Sequence, residues 1–329
     1  MPMYVVEELQ KKVEKEIGRR ISELAALKPA ELYSPVKYSL EVGGKRLRPL
    51  MLLLSYNLFA EEVEPALPAA VATEVFHNFT LLHDDIMDKA EVRRNKPTVH
   101  VKFSENNAIL SGDAMAFISY QYLMECRSDR LFEVVELFTT TALQVCEGQQ
   151  YDMDFEQRLD VTESEYLEMI RLKTAVLLGC CLKAGALLAD APPETAAKLY
   201  EVGINLGLAF QVQDDWLDSF GTQQSFGKMI GGDILAGKKT WLLVKALESA
   251  EGSLEEDLIK WLNAGNYYAK EKIKSVIEIY DRLGIRESAE EKTVYFFTKA
   301  MDMLKSLPVD DSCKHQLFEL IKNMQKRSF

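Results

Sequence analysis

Apolar residues recur every three to four positions along almost the whole chain. Val5, Leu9, Val13, Ile17, Ile21 and Leu24 form the first such stripe, the spacing of an amphipathic helix. Comparable runs predict helices over Leu50–Leu58, Ala69–Leu82, Ala114–Met124, Leu131–Cys146, Tyr166–Leu188, Ala197–Phe210, Thr240–Leu247, Leu254–Leu262, Ile273–Leu283 and Thr293–Leu304. Breakers fall between them: Pro35, Gly43-Gly44, Pro65 with Pro68, Pro97, Pro192-Pro193, Gly221, Gly231-Gly232, Gly265 and Pro308. No stretch alternates as a half-buried strand does, and no internal repeat or low-complexity linker divides the chain. The pattern predicts one all-α domain over residues 1–329, with ten or more helices.

Composition narrows the function classes. At 47% hydrophobic and 27% charged over 329 residues, the chain can bury a large core and still present a soluble surface. Its net charge of −12 argues against a general nucleic-acid binder. Local islands of positive charge therefore carry more information. The five cysteines are odd in number and lack CxxC spacing, so neither a disulfide scaffold nor structural zinc is expected, which suits a reducing cytoplasm. Met1 to Arg20 has no apolar segment of the kind a signal peptide needs. The greasiest stretch, Thr174 to Ala191, is interrupted by Lys183 and Gly185 and reads as a buried helix rather than a membrane span.

Two acidic clusters of the same form stand out, Asp84-Asp85-Ile86-Met87-Asp88 and Asp214-Asp215-Trp216-Leu217-Asp218. On a helix, carboxylates at i and i+4 lie one turn apart on one face. Acidic runs are more often solvated helix faces, and Glu255-Glu256-Asp257 and Asp310-Asp311 read as a first helical turn and a cap. The two clusters differ in leaving the ends of apolar segments. Clustered carboxylates repel each other unless a hard cation and its anionic ligand neutralise them. Two such clusters point to Mg²⁺ and a polyphosphate.

Basic residues gather nearby. Gly43-Gly44-Lys45-Arg46-Leu47-Arg48-Pro49 joins a glycine pair to three cations; glycine lets the backbone approach a ligand, and arginine matches phosphate oxygens. Arg93-Arg94 follows the first acidic cluster and could bind phosphate or simply neutralise the carboxylates. Phe226 to Thr240 is a glycine-lysine loop with the composition of a phosphate flap, although it lacks P-loop spacing. Lys173-Thr174 heads an apolar helix; alone it would be an interface lysine.

Taken together, these motifs resemble the trans-isoprenyl diphosphate synthases over roughly residues 40 to 242. The matching elements are Gly43 to Pro49, Glu74-x-x-His77, the first aspartate motif, Arg93-Arg94 with Lys96-Pro97-Thr98, and Gly148-Gln149-x-x-Asp152. They continue through Lys173-Thr174, Phe210-Gln211-x-x-Asp214-Asp215-x-x-Asp218, Gly227-Lys228, Asp233 and Gly237-Lys238-x-Thr240. Glu91, Asn95 and Trp241 depart from the family's common Asp, Gly and Leu; none removes a charged ligand, and Asn95 alters the turn after the arginine pair.

The resemblance implies an orthogonal helical bundle around a central substrate cavity and a short-chain prenyltransferase. Two or three Mg²⁺ would be held by Asp84, Asp88 and Asp214, with Asp85, Asp152, Asp215 and Asp218 as ligands or hydrogen-bonded supports. Arg93, Lys173, Lys228 and Lys238 would contact the allylic diphosphate. Gly44, Lys45, Arg48, His77 and Arg94 would bind the diphosphate of isopentenyl diphosphate. Gln149, Asp152, Thr174 and Gln211 would lie near the reacting centre or complete the metal shell. Cations spread the charge of a departing diphosphate. A dry pocket protects the allylic cation, and positioning of the second substrate supplies much of the rate. His83 is expected to be structural.

Product length is a steric matter. Phe79 and Phe76 lie five and eight residues before Asp84, about 7.5 and 12 Å along a helix. Both could be ordinary core aromatics, and an ideal wheel turns Phe79 well off the Asp84 face. The resemblance nevertheless marks the fifth position as the floor, implying a C20 product, with C15 or a longer chain as alternatives. A non-catalytic partner subunit would typically lack an aspartate motif. A terpene cyclase would not need the Gly43–Pro49 loop. The resemblance further implies a cytoplasmic homodimer without nucleic-acid partners or membrane insertion.

Overall fold

A computed structural model of the chain describes residues 4–221, 230–265 and 268–326. The described residues are predominantly helical, and the all-α expectation holds. They cluster into two compact units. The first comprises Met1–Phe138, Cys181–Leu199 and Pro308–Leu317; the second comprises Thr139–Cys180, Tyr200–Leu307 and Phe318–Phe329.

In the first unit the helices are α1 (Val6–Ala25), α2 (Ala30–Glu41), α3 (Leu47–Tyr56), α4 (Leu67–Met87), α5 (Val99–Lys102) and α6 (Glu105–Leu123). α1 buries Leu9, Val13, Ile17 and Leu24, as the stripe predicts, together with Arg20. That guanidinium is held by Glu16 and by Glu125, whose Oε1 is 2.7 Å from Nη1, and it lies over the Tyr122 ring at 4.2 Å. α4 is the central helix. Ala69 through Phe76 are all buried, and α4 packs chiefly on α6, with α3 and α1 also against it. Gly112 of α6 allows that approach, since a β-carbon there would meet the His83 ring at 2.3 Å.

The second unit contains α8 (Glu163–Ile170), a π-helical turn (Arg171–Ala175) and the helices Trp241–Ser249, Ser253–Leu262, Ala269–Arg282 and Ile285–Lys305. α7 (Leu131–Glu156), α9 (Val176–Leu188) and α10 (Pro193–Phe220) supply residues to both units. Thr162 opens α8 with a capping box shared with Glu165, which satisfies donors at both residues. Thr240 caps the helix that begins at Trp241 by accepting from the Leu243 N–H at 3.2 Å.

Several sequence expectations are corrected here. Pro35 lies inside α2 rather than breaking the chain; it forfeits one backbone bond within a helix whose buried face holds it in place. The single run over Tyr166–Leu188 is interrupted by the π-helical turn. Val92–Arg93 and Lys96–Pro97 pair as a minimal antiparallel hairpin, with Val92 opposite Pro97 and Arg93 opposite Lys96. α4, α6, α7 and α10 extend beyond the apolar runs that predict them, because their polar ends continue the same backbone.

Candidate active site

The expected site residues divide between the two units. Gly44, Lys45, Arg48, Phe76, His77, Phe79, Asp84, Asp85, Asp88, Arg93 and Arg94 belong to the first. Gln149, Asp152, Lys173, Thr174, Gln211, Asp214, Asp215, Asp218 and Lys238 belong to the second. Lys228 lies outside the described residues.

The first aspartate cluster occupies the last turn of α4, with Asp88 as its C-cap. A helix C-terminus carries partial negative charge, so three carboxylates there stand against the local field. No basic residue of α4 itself occupies that turn. Asp85 is buried, and Arg93 closes on it: Nε is 2.8 and 2.9 Å from its two oxygens, and Nη2 is 2.8 Å from Oδ1. Burial raises the Asp85 carboxyl, against the pull of Arg93. The Arg93 Nη2 is also 3.7 Å from Asp84 Oδ2. Asp84 is half-buried and Asp88 exposed.

The hairpin after this cluster turns at Arg94 and Asn95, with φ of 51° and 60°. Two left-handed residues make the tight turn that suits a twisted hairpin, and asparagine accepts that conformation better than most residues do. Asn95 therefore keeps the turn that glycine serves elsewhere. Arg94 reaches Gly44, where a β-carbon would lie 2.7 Å from its Nη1. Gly44 itself has φ of 157°, and its neighbour Gly43 has φ of 83°.

The three cations of the 43–49 loop do different work. Arg46 is buried, donating to Glu74 at 2.6 Å, Glu14 at 3.0 Å and the Leu40 carbonyl at 3.0 Å. It anchors the loop. Lys45 is exposed. Arg48 has a buried Nε with no hydrogen-bond partner among the described residues, and desolvation lowers its pKa. Desolvation also depresses Arg94. His77 is pushed well below its ordinary value, first by burial and then by Arg48, Arg94, Arg93 and Arg46. Its imidazole is therefore neutral in a field of arginines. Desolvation thus disfavours the guanidinium charges of both Arg48 and Arg94, a penalty that a bound anion would relieve. A small pocket beside Arg94 is lined by Tyr38, Asn78, Asp85, Arg93, Arg94 and Thr98. Sequence reasoning missed the Arg46–Glu74–Glu14 anchor, although Glu74 stands in a quoted motif.

The second aspartate cluster lies within the last turns of α10, again without a basic residue in the final turn. Asp214 is half-buried, whereas Asp215 and Asp218 are buried. Asp218 accepts from the Asp233 N–H at 3.1 Å, and its carbonyl accepts from Gly231 N–H at 2.7 Å. It thus ties α10 to the segment after the undescribed residues 222–229. Asp215 accepts from the Trp241 N–H at 2.7 Å, from the Gln211 amide at 3.2 Å and from the Tyr166 hydroxyl. Burial pushes its carboxyl up, against the three hydrogen bonds from Tyr166, Trp241 and Gln211 that favour the carboxylate. The Trp241 indole donates to Glu163 at 3.2 Å, so the larger residue here has its own bond.

Lys173 and Thr174 lie in the π-helical turn, a feature frequent at functional sites. Lys173 Nζ is 2.5 Å from Asp152 Oδ2. Thr174 donates to Gln211 Oε1 at 3.1 Å. Gln149 and Lys238 are half-buried. Lys239 is buried instead, facing the carbonyls of Glu156 and Gly237.

Phe76 and Phe79 join an aromatic cluster. Their ring centroids are 5.3 Å apart, Phe138 is 5.1 Å from Phe76, and Tyr120 is 5.1 Å from Phe138. Phe79 meets the His83 ring edge-on at 4.9 Å. His83 Nε2 is 3.2 Å from the Ile109 carbonyl, which fits its expected structural role.

Among the described residues, no three or more His, Cys, Asp or Glu side chains are grouped to hold a metal alone. Mg²⁺ commonly takes one or two carboxylates and completes its shell with water and substrate phosphate. The accessible carboxylates at negative helix ends fit an ion that arrives with diphosphate. They do not fit a protein-built cage. No helix among the described residues is long and apolar enough to cross a membrane.

The polyprenyl synthetase family profile matches residues 29–280. The chain is 37% identical to geranylgeranyl diphosphate synthase of Methanosarcina mazei over 89% of this chain and 96% of that one. It is 40% identical to the enzyme of the same name from Saccharolobus solfataricus, covering 82% of each. A solved geranylgeranyl pyrophosphate synthase superposes with a TM-score of 0.93 at 40% identity, covering 99% of this chain and 100% of that structure. With its all-α fold and its two aspartate-bearing helix ends, the chain belongs to the polyprenyl synthetase family.

Proposed function

We propose that this prenyltransferase is a Mg²⁺-dependent synthase of all-trans geranylgeranyl diphosphate. It would condense isopentenyl diphosphate with dimethylallyl, geranyl and farnesyl diphosphates, the whole chain acting as one catalytic domain. Prenyl transfer itself follows from family membership. One observation carries the finer reading: burial splits each aspartate cluster. Asp84 and Asp214 are half-buried and Asp88 is exposed, whereas Asp85, Asp215 and Asp218 are buried.

Asp84, Asp88 and Asp214 would hold the metal ions, two or three of them. When bound, Mg²⁺ neutralises diphosphate charge and so eases departure of the leaving group. Asp85 fixes Arg93 and Asp152 fixes Lys173; these two cations, with Lys228 and Lys238, would contact the allylic diphosphate. Gly44, Lys45, Arg48 and Arg94 bind the second diphosphate, where neutral His77 donates a hydrogen bond. Gln149, Thr174 and Gln211 face the reacting carbons. Phe79, backed by Phe76, closes the product channel.

A homodimer is part of the same reading. Leu110, Phe117 and Met124 are exposed along and just beyond α6 at seven-residue spacing, Phe117 by 73%. Exposed apolar stripes of this kind mark interfaces. Free cysteines and water-soluble diphosphate substrates support a cytoplasmic location. The test is incubation with isopentenyl diphosphate, Mg²⁺ and each of the C5, C10 and C15 allylic primers, followed by sizing of the products. A C20 product from all three primers is expected. An end product of C15, or of C30 and above, would overturn the assignment, and no product with any primer would overturn catalysis itself.

A further inference from the structure

The chemistry proposed above needs an oxygen lone pair, not a proton, facing the allylic cation. Thr174 can present either, depending on which way its hydroxyl turns. In the structure it donates to Gln211 Oε1 at 3.1 Å, which leaves its lone pairs outward. That direction holds only while Gln211 keeps its carbonyl toward Thr174. A glutamine amide can flip, exchanging oxygen for NH2. The Gln211 Nε2 is held by Asp215 Oδ1 at 3.2 Å. Asp215 cannot turn away, because its Oδ2 accepts from the Trp241 backbone N–H at 2.7 Å and from the Tyr166 hydroxyl. Both Asp215 and Tyr166 are almost fully buried.

Resting on the functional reading, we propose that Asp215 is a positioning residue rather than a metal ligand. With Tyr166 and the Trp241 N–H it sets the orientation of Gln211, and thereby the polarity of the Thr174 hydroxyl at the reacting centre. Two donors fix Oδ2, and in the carboxylate that these donors favour, Oδ1 accepts from the Gln211 amide. The chain Tyr166–Asp215–Gln211–Thr174 carries the order of donors and acceptors from a buried backbone N–H to the site. Tyr166 has no part in the sequence motifs, and only its hydroxyl's partner reveals it.

Asp215→Asn tests this, because the new side chain's oxygen must stay with the Trp241 N–H and its NH2 then faces Gln211. The glutamine is driven to flip, and Thr174 turns its proton outward. The expected result is a fall in kcat on the order of 10²-fold, the scale of a misdirected dipole in a preorganised site. KM for both diphosphates and the Mg²⁺ concentration for half-maximal rate should stay within about threefold. Adding Gln211→Glu restores an acceptor toward both the introduced amide and Thr174, and should recover at least about tenfold in kcat. Tyr166→Phe should lower kcat more mildly, again without a change in Mg²⁺ dependence. The inference is overturned if D215N raises the Mg²⁺ requirement while kcat at saturating metal survives, or if a folded D215N/Q211E is no better than D215N. Should D215N fail to fold, Y166F decides by the same criteria: an unchanged kcat refutes the proposal. A wild-type chain without prenyl transfer would instead sink the functional reading, so the two failures are distinct.

Discussion

Gly148 and Lys173 approach so closely that a β-carbon on Gly148 would lie 2.2 Å from the Lys173 backbone nitrogen. α7 reaches the π-helical turn only because position 148 has no side chain. Gly148→Ala should therefore displace Lys173 and Thr174. Overpacking of this kind costs about 1–3 kcal/mol, readable as a lower urea midpoint. Misplacement of the reacting groups should lower kcat on the order of 10²-fold, with less effect on KM for isopentenyl diphosphate. An unchanged kcat would show that the π-helical turn does not position the chemistry.

Arg46 and Arg48 are two positions apart, yet among the described residues only the first is paired with carboxylates. Breaking the buried Arg46–Glu74 pair by Glu74→Gln should destabilise the fold by about 3–5 kcal/mol, measured by denaturant unfolding. Arg48→Gln should leave the unfolding midpoint nearly unchanged. It should raise KM for isopentenyl diphosphate by roughly 10- to 100-fold, the scale of one charge-assisted bond. The reverse pattern would exchange the roles assigned to the two arginines.

The His77 imidazole is depressed well below 6.5 by burial and the surrounding arginines. Below pH 6.5 the unfolded chain takes up this proton and the folded chain does not, so stability falls as pH falls. The thermal midpoint should drop on passing from pH 7.5 to 5.5, and His77→Gln should show a smaller drop. Equal drops would mean that His77 titrates normally in the folded state.

Phe79→Ala should lengthen the product beyond C20, whereas Phe76→Ala, in the core at 2% exposure, should chiefly destabilise by about 3–5 kcal/mol. Product sizing and thermal unfolding separate the two. Parental product length from Phe79→Ala would remove it as the channel floor.

Much of this was legible in residue order. The apolar stripe of α1 and the alanine-rich run of α4 predict their helices directly, because burial imposes the 3.6-residue period. The ends of α4 and α10 were less legible, since carboxylates continue a helix without continuing its apolar face. The π-helical turn at Arg171–Ala175 adds one residue per turn, which local periodicity over so short a span does not reveal. Arg46 and Arg48 look alike in sequence, and only distant Glu14 and Glu74 make the first structural. The same holds for the aspartates: three identical side chains in each cluster become two kinds, because the fold buries Asp85, Asp215 and Asp218 and leaves the others nearer the surface.

The central proposal is that Asp84 and Asp214 are each required for Mg²⁺-dependent binding of the allylic diphosphate. The direct measurement is calorimetric binding of a non-ionisable allylic diphosphate analogue, with and without Mg²⁺, to the wild type, Asp84→Asn and Asp214→Asn. The account predicts Mg²⁺-dependent binding by the wild type and a loss on the order of 10²-fold in each variant. Wild-type affinity retained by either variant would contradict it.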